Sequence, residues 1–200
     1  DATKITRLQQ ERDAALKEAN ALARKLEETN DRVAELASAR EEALAAQNEL
    51  EQQMRHELEK SDVTVSREDD RVSVNIMDRV MFDSGDATLR ESGEDVLSDV
   101  AAVLKQAPNK QIIVIGHTDN VPIHDSWFKY GSNWELSTAR SVSAVRFLVE
   151  QGGIDPHRIG ALGYGPYRPI ADNATPEGRA KNRRIEVVVL PDDFTITPRS

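Results

Sequence analysis

Apolar residues recur every three or four positions through the first 60 residues, and the period then shortens to two. One heptad register covers the first stretch. Its a positions are Ile5, Arg12, Ala19, Leu26, Val33, Arg40, Gln47 and Met54; its d positions are Leu8, Ala15, Leu22, Thr29, Leu36, Ala43, Leu50 and Glu57. The stretch holds no Gly or Pro and is rich in Ala, Glu, Leu, Arg and Gln, residues that lose little freedom in a helix. A seam apolar over most of its length predicts a long α-helical coiled coil, with a parallel homodimer as the expected pairing. Arg12, Arg40 and Gln47 interrupt the seam, and polar a positions set register or partner number at a cost in stability. A helix of ~60 residues reaches about 90 Å at 1.5 Å per residue. The alternative on the same pattern is a single charged helix, solvated on all sides.

After Ser61 the chain alternates. Val63-Thr64-Val65 and Arg71-Val72-Ser73-Val74-Asn75-Ile76 predict a half-buried hairpin, with its turn at Glu68-Asp69-Asp70. Met81 to Gly85 reads as a loop. Val96, Leu97, Val100, Val103 and Leu104 give helical spacing over residues 94–106, which must stop before Pro108. Ile112 to Ile115 is a buried strand that breaks at a glycine into the polar cluster Gly116-His117-Thr118-Asp119-Asn120. A second amphipathic helix covers Trp134 to Glu150 and ends at Gly152-Gly153. A strand at residues 158–162, a short helix opened by Pro176 and a last strand at residues 184–190 complete the order. This predicts an α/β fold, an α+β sandwich of β-α-β-α-β-β type with helices on one or both faces, behind an N-terminal coiled coil. The expected domains are residues 1–60 and 61–200, the second long enough for its own core.

Composition narrows the function classes. The chain has 200 residues, 38% hydrophobic and 30% charged, with a net charge of −9 and no obvious basic patch, so nucleic acid is not an expected partner. The absence of cysteine excludes disulfides and thiol catalysis. No run of about 18 apolar residues exists to cross a membrane. The first residue is Asp rather than Met, which suggests a trimmed product; any membrane contact is expected only through an N-terminal segment outside this chain.

Five motifs follow one another at orderly spacing: Val80-Met81-Phe82-Asp83-Ser84-Gly85, Ile115-Gly116-His117-Thr118-Asp119-Asn120, Asn133-Trp134-Glu135-Leu136-Ser137-Thr138-Ala139-Arg140, Gly163-Tyr164-Gly165 with Pro169-Ile170, and Arg179 to Glu186. Together, from about Val72 to Leu190, they resemble the OmpA-like (OmpA/MotB C-terminal) peptidoglycan-binding domain. Val121-Pro122-Ile123 and Asn133-Trp134-Glu135-Leu136 resemble its MotB side, although a coiled coil stands here where a MotB protein carries a membrane helix.

The resemblance implies a non-catalytic site for the diaminopimelate of a peptidoglycan stem peptide, whose side chain ends in an ammonium and a carboxylate on one carbon. Asp119 suits the ammonium, and Arg140 suits the carboxylate through two parallel hydrogen bonds that lysine cannot copy. Thr118, with the backbone N–H groups of Gly116 to Asn120, is expected to add contacts. Asn133 either caps its helix or touches ligand, Phe82 either covers the pocket or fills core, and Arg183 either reaches the pocket or braces the Asp119 loop. The bland alternative for Asp119 is a pair with Arg140 or a turn cap. Asn182 reads as a loop brace and His117 as a structural hydrogen-bonder. Trp127, Phe128 and Tyr130 lie in an insertion that either packs down or widens the contact surface.

The expected function is therefore a wall anchor of the periplasm of a Gram-negative bacterium, tethered to the inner or outer membrane by the missing N-terminal segment and paired through the coiled coil. A flagellar-motor stator-like protein and a coiled-coil scaffold with a globular cap are the alternatives. A metal hydrolase built on His117, Asp119 and His124 fits no strong ligand spacing, so no catalysis, metal or cofactor is expected.

Overall fold

The structure, a computed structural model, describes residues 2–59, 62–68, 71–123 and 127–190. Helix α1 spans Ala2–Leu58. Then come β1 (Val63–Glu68), β2 (Arg71–Met77), α2 (Asp78–Met81), α3 (Glu91–Leu104), β3 (Ile112–His117), α4 (Trp127–Tyr130), α5 (Asn133–Glu150), a 3-10 turn (Pro156–Arg158), β4 (Ile159–Gly165), α6 (Pro176–Asn182) and β5 (Arg184–Val189). The α+β class and the long first helix match the reading of the pattern. Most of the turn expected at Glu68-Asp69-Asp70 lies outside the described residues.

The chain forms two compact units, Asp1–Ala46 and Gln47–Ser200, so the division falls within α1 rather than at residue 61. The physical reason is burial. Leu50, Met54 and Leu58 join the core of the second unit, and Gln47 is buried with them. In the first unit Ile5, Leu8, Leu22, Leu26, Val33 and Leu36 of the same a/d seam are all exposed. Among the described residues no helix is long and apolar enough to cross a membrane.

In the second unit five strands form one sheet, in the order β1-β2-β5-β3-β4. All neighbours are antiparallel except β3 and β4, which run parallel. A parallel pair needs a crossover, and α5 supplies it between β3 and β4. Register puts Val72, Val189 and Ile112 in one row, and Val74, Val187 and Val114 in the next. These rows are fully buried beneath Leu97, Val100 and Leu104 of α3, Leu148 of α5 and the last turns of α1. Ser73, Asn75 and Glu186 alternate with them and point away from this core, as the period of two requires.

Local chemistry sets the helix ends. Ser132 caps α5 by accepting from the Trp134 N–H at 3.1 Å, and Thr175 caps α6 by accepting from the Gly178 N–H at 3.0 Å, with Pro176 in the first turn. Gly153, at φ 69°, follows α5. Beyond α3, Arg158 donates to the carbonyls of Leu104, Ala107 and Lys110 at 2.8–3.0 Å and ties the helix end and its exit loop to the 3-10 turn.

Candidate functional site

A cleft of about 700 Å³ opens at the C-terminal end of β3. Two glycines behind it set how closely α5 approaches the sheet. Gly116 of β3 pairs with Gly163 of β4, and α5 crosses directly over both. A Cβ on Gly116 would lie 2.0 Å from the Ser137 carbonyl oxygen, and one on Gly163 would lie 2.2 Å from Thr138 Oγ1. The missing side chains let α5 approach the sheet closely, which sets the depth of Arg140 one turn later.

After Gly116 the β3–β4 register shifts, so that His117 faces Gly165. Such an irregularity re-aims the chain. The Thr118 N–H bonds the Gly165 carbonyl at 2.9 Å, and the strand turns into the cleft. Asp119 then closes a turn on itself: its Oδ1 accepts from the Val121 N–H at 2.9 Å. Its Oδ2 meets Arg183 Nη1 at 2.5 Å.

Arg140 is almost wholly enclosed, at 3% exposure. Its Nη1 lies 2.8 Å from Asp78 Oδ1, its Nε donates to the Asp86 carbonyl at 2.7 Å, and its Nη2 donates to the Asp83 carbonyl at 3.3 Å. The guanidinium also lies 5.1 Å from the Phe82 ring centroid. Burial pulls the Arg140 pKa down and pushes the Asp78 carboxyl up; their mutual attraction opposes both shifts. The Arg183 cation also lowers Asp78, and the Asp119 anion raises it.

Two acid–base pairs therefore stand in one cleft, Asp78–Arg140 deep and Asp119–Arg183 at the open side. The Arg183 side chain is 40% exposed. Arg183 also binds the pairs together through its backbone, because its carbonyl accepts from the Asp78 N–H at 3.0 Å. The lining includes five arginines (Arg79, Arg90, Arg140, Arg179 and Arg183) against three aspartates (Asp78, Asp83 and Asp119). Arg90, Arg140 and Arg183 are paired with Asp83, Asp78 and Asp119, and Arg79 with Asp62 beside the lining, so the cleft offers both signs of charge side by side.

Of the residues singled out by sequence, Asp119, Arg140, Thr118, Asn133, Phe82 and Arg183 all line this cleft. Gly116 and Asn120 lie outside the lining. Gly116 packs under α5, and Asn120 is exposed. Asn133 is the first helical residue rather than the cap, and its Nδ2 donates to the Val121 carbonyl at 2.9 Å. Phe82 does both things expected of it, since it belongs to the core and lines the cleft. Asp119 pairs with Arg183, not with Arg140. Asp78 sits in none of the motifs; it opens α2, 62 positions before its partner, and only the fold brings the two together.

Asn182 is fully buried and braces the neighbouring loop, accepting from the Ile170 and Ala171 N–H groups and donating to the Ala171 carbonyl. Tyr130 of the insertion packs against the cleft wall: its hydroxyl accepts from the Ala87 N–H at 3.1 Å. Lys129 meets Asp86 at 2.7 Å and holds that carboxyl below the usual range. Of Trp127 and Phe128 only the helical backbone is described. His117 is buried with Nε2 3.2 Å from Glu186 Oε2 and its ring stacked on Tyr164; burial lowers its pKa against the pull of Glu186. With His117 on Glu186 and Asp119 on Arg183, two of the imagined metal ligands are committed elsewhere, and His124 lies outside the described residues. Among the described residues no three His, Cys, Asp or Glu side chains are grouped to hold a metal.

Comparison with known proteins places this cleft within a family. Residues 81–183 match the OmpA family. Motility protein B of Bacillus subtilis is 44% identical over 118 residues, covering 59% of this chain and 44% of that protein. The structure of the cell wall anchor of the T6SS from Pseudomonas aeruginosa superposes with a TM-score of 0.64 at 34% identity, covering 71% of this chain and 96% of that one. A MotB-like protein from Desulfovibrio vulgaris superposes with a TM-score of 0.71 at 25% identity, covering 78% of this chain and 98% of that one. The chain spans about half the length of the curated relatives it matches. The family match covers both acid–base pairs of the cleft except Asp78, and this chain belongs to the OmpA family.

Proposed function

We infer that this chain binds peptidoglycan without catalysis and thereby anchors a component of the cell envelope to the wall. The observation that carries the reading is the convergence of Asp119, Arg140 and Arg183 on one cleft. The ligand is the diaminopimelate of a stem peptide. Its ammonium takes the place of Arg183 on Asp119. Its carboxylate meets the arginines, which outnumber the acids in the lining. The resemblance to a cell wall anchor supports this reading.

The first unit pairs with a second copy through its exposed seam, Ile5 to Leu36, and two linked domains gain avidity on a polymeric wall. Sedimentation equilibrium gives twice the 22.3 kDa chain mass if this holds, and the single mass if it does not. The setting is the periplasm of a Gram-negative bacterium, with tethering to a membrane through a segment outside this chain. The likeness to Motility protein B favours a motor-stator role as a second reading. A stator requires an ion-relay acid in a membrane helix, which the full-length protein either carries or lacks. Wall binding itself is tested by co-sedimentation of the chain with purified sacculi. Binding displaced by a free diaminopimelate stem peptide supports the reading, and a folded chain left in the supernatant refutes it.

A further inference from the structure

We propose that the stacked pair Trp134–Tyr167 is a sugar-binding platform for a pyranose ring of the glycan strand whose stem peptide occupies the cleft. This rests on the peptidoglycan reading above. The two rings lie 5.1 Å apart at 26°, yet Trp134 is 46% exposed and Tyr167 65% exposed. Their outer surfaces face water rather than the core, and a paired aromatic surface left open marks a contact site.

The pair is held in place. Trp134 lies in the first turn of α5, where Ser132 bonds its N–H and Thr138 bonds its carbonyl at 2.8 Å. The Tyr167 N–H bonds the Tyr164 carbonyl at 3.2 Å. The Tyr164 ring stacks on the His117 ring, and the Arg168 guanidinium lies 5.1 Å from its centroid. The backbone beneath both rings is thus held, and each ring stacks on the other, which lowers the ordering a ligand must bring about. One face of a pyranose ring is a sheet of C–H groups. It matches the negative face of an aromatic ring, while its hydroxyls stay in water.

Position argues for this occupant. Trp134 directly follows Asn133, which lines the cleft. Two to three extended stem residues reach roughly 7–10 Å, so a diaminopimelate seated on Asp119 brings its own glycan to the cleft rim. The neighbouring exposed positions on the helix, Glu135 and Thr138, are polar. Two rings offer an area suited to one sugar rather than to a broad protein interface.

The test compares two ligands on the full chain by calorimetry: a sugar-free diaminopimelate stem peptide, and the muropeptide that carries the same stem on its disaccharide. The muropeptide is expected to bind more tightly. Tyr167→Ala and Trp134→Ala should each weaken muropeptide binding roughly three- to tenfold and leave stem-peptide binding unchanged. Equal affinities of the wild type for the two ligands would overturn the platform, as would equal losses for both ligands in Tyr167→Ala. If the folded wild type bound neither ligand, the wall-binding reading would fall first and take the platform with it.

Discussion

Replacing Arg140 with alanine is expected to remove about 3–5 kcal/mol of folding stability, the usual consequence of leaving a buried partner charge uncompensated. Asp78 is that partner, 12% exposed and 2.8 Å from the guanidinium. Two carbonyls, of Asp83 and Asp86, lose donors at the same time, so the wall that carries Phe82 loosens as well. The loss has a pH signature. Burial already raises the Asp78 pKa in the folded protein, with Arg140 opposing it. A carboxyl whose folded pKa lies above its unfolded value costs stability at high pH. That cost is relieved as pH falls through the folded value toward the unfolded one. Without Arg140 the folded pKa rises further. The deficit of Arg140→Ala should therefore shrink between pH 7 and pH 4, and Asp78→Asn in the same chain should recover part of it. Denaturant melts across that range check both statements. A deficit independent of pH, or a loss within about 0.5 kcal/mol, would show that the pair is not the buried charge couple described.

Gly116→Ala should be nearly as damaging, at about 3 kcal/mol, although the change adds a single methyl group. That methyl would sit 2.0 Å from the Ser137 carbonyl oxygen and 2.8 Å from its carbon, both backbone atoms of α5. No side-chain rotation relieves such a contact. The helix must lift, and Arg140 lifts with it while Asp119, three residues past the substitution, shifts too. Ligand affinity should fall together with stability. Gly160→Ala is the matched control, because a Cβ there meets nothing within 4 Å on the neighbouring strand. If Gly116→Ala unfolded at the same denaturant concentration as Gly160→Ala, the close crossing of α5 over β3 would be wrong.

These two residues show what was legible in the sequence. The motif from Asn133 to Arg140 spans two helical turns, so local periodicity alone puts Asn133, Leu136 and Arg140 on one face, and all three line the cleft. The strand break at Gly116 likewise places Asp119 just past a strand end, where the structure has it. Partners are another matter. Nothing in Ile76-Met77-Asp78-Arg79 shows that Asp78 answers Arg140, since that pairing exists only once the start of α2 and α5 are brought together. Burial of an arginine does demand an acid, so an inward-facing Arg140 implies a buried carboxylate beside it.

The first helix carries a related lesson. Its heptad register extends past Gln47 to Leu50 and Met54, yet these residues pack in the second unit while Ile5 to Leu36 remain exposed. A heptad pattern reports an apolar seam and not what covers it. Any fragment made to isolate the cleft must therefore begin before Gln47.

On the proposed reading the cleft binds a zwitterionic wall peptide through Asp119. The most direct test is calorimetric titration of the whole chain with a diaminopimelate-containing stem peptide, beside Asp119→Ala. Saturable binding by the wild type, weakened by about 2–5 kcal/mol in a variant that still unfolds cooperatively, is the predicted result. Equal affinity in the two proteins, or no binding by a folded wild type, would contradict it.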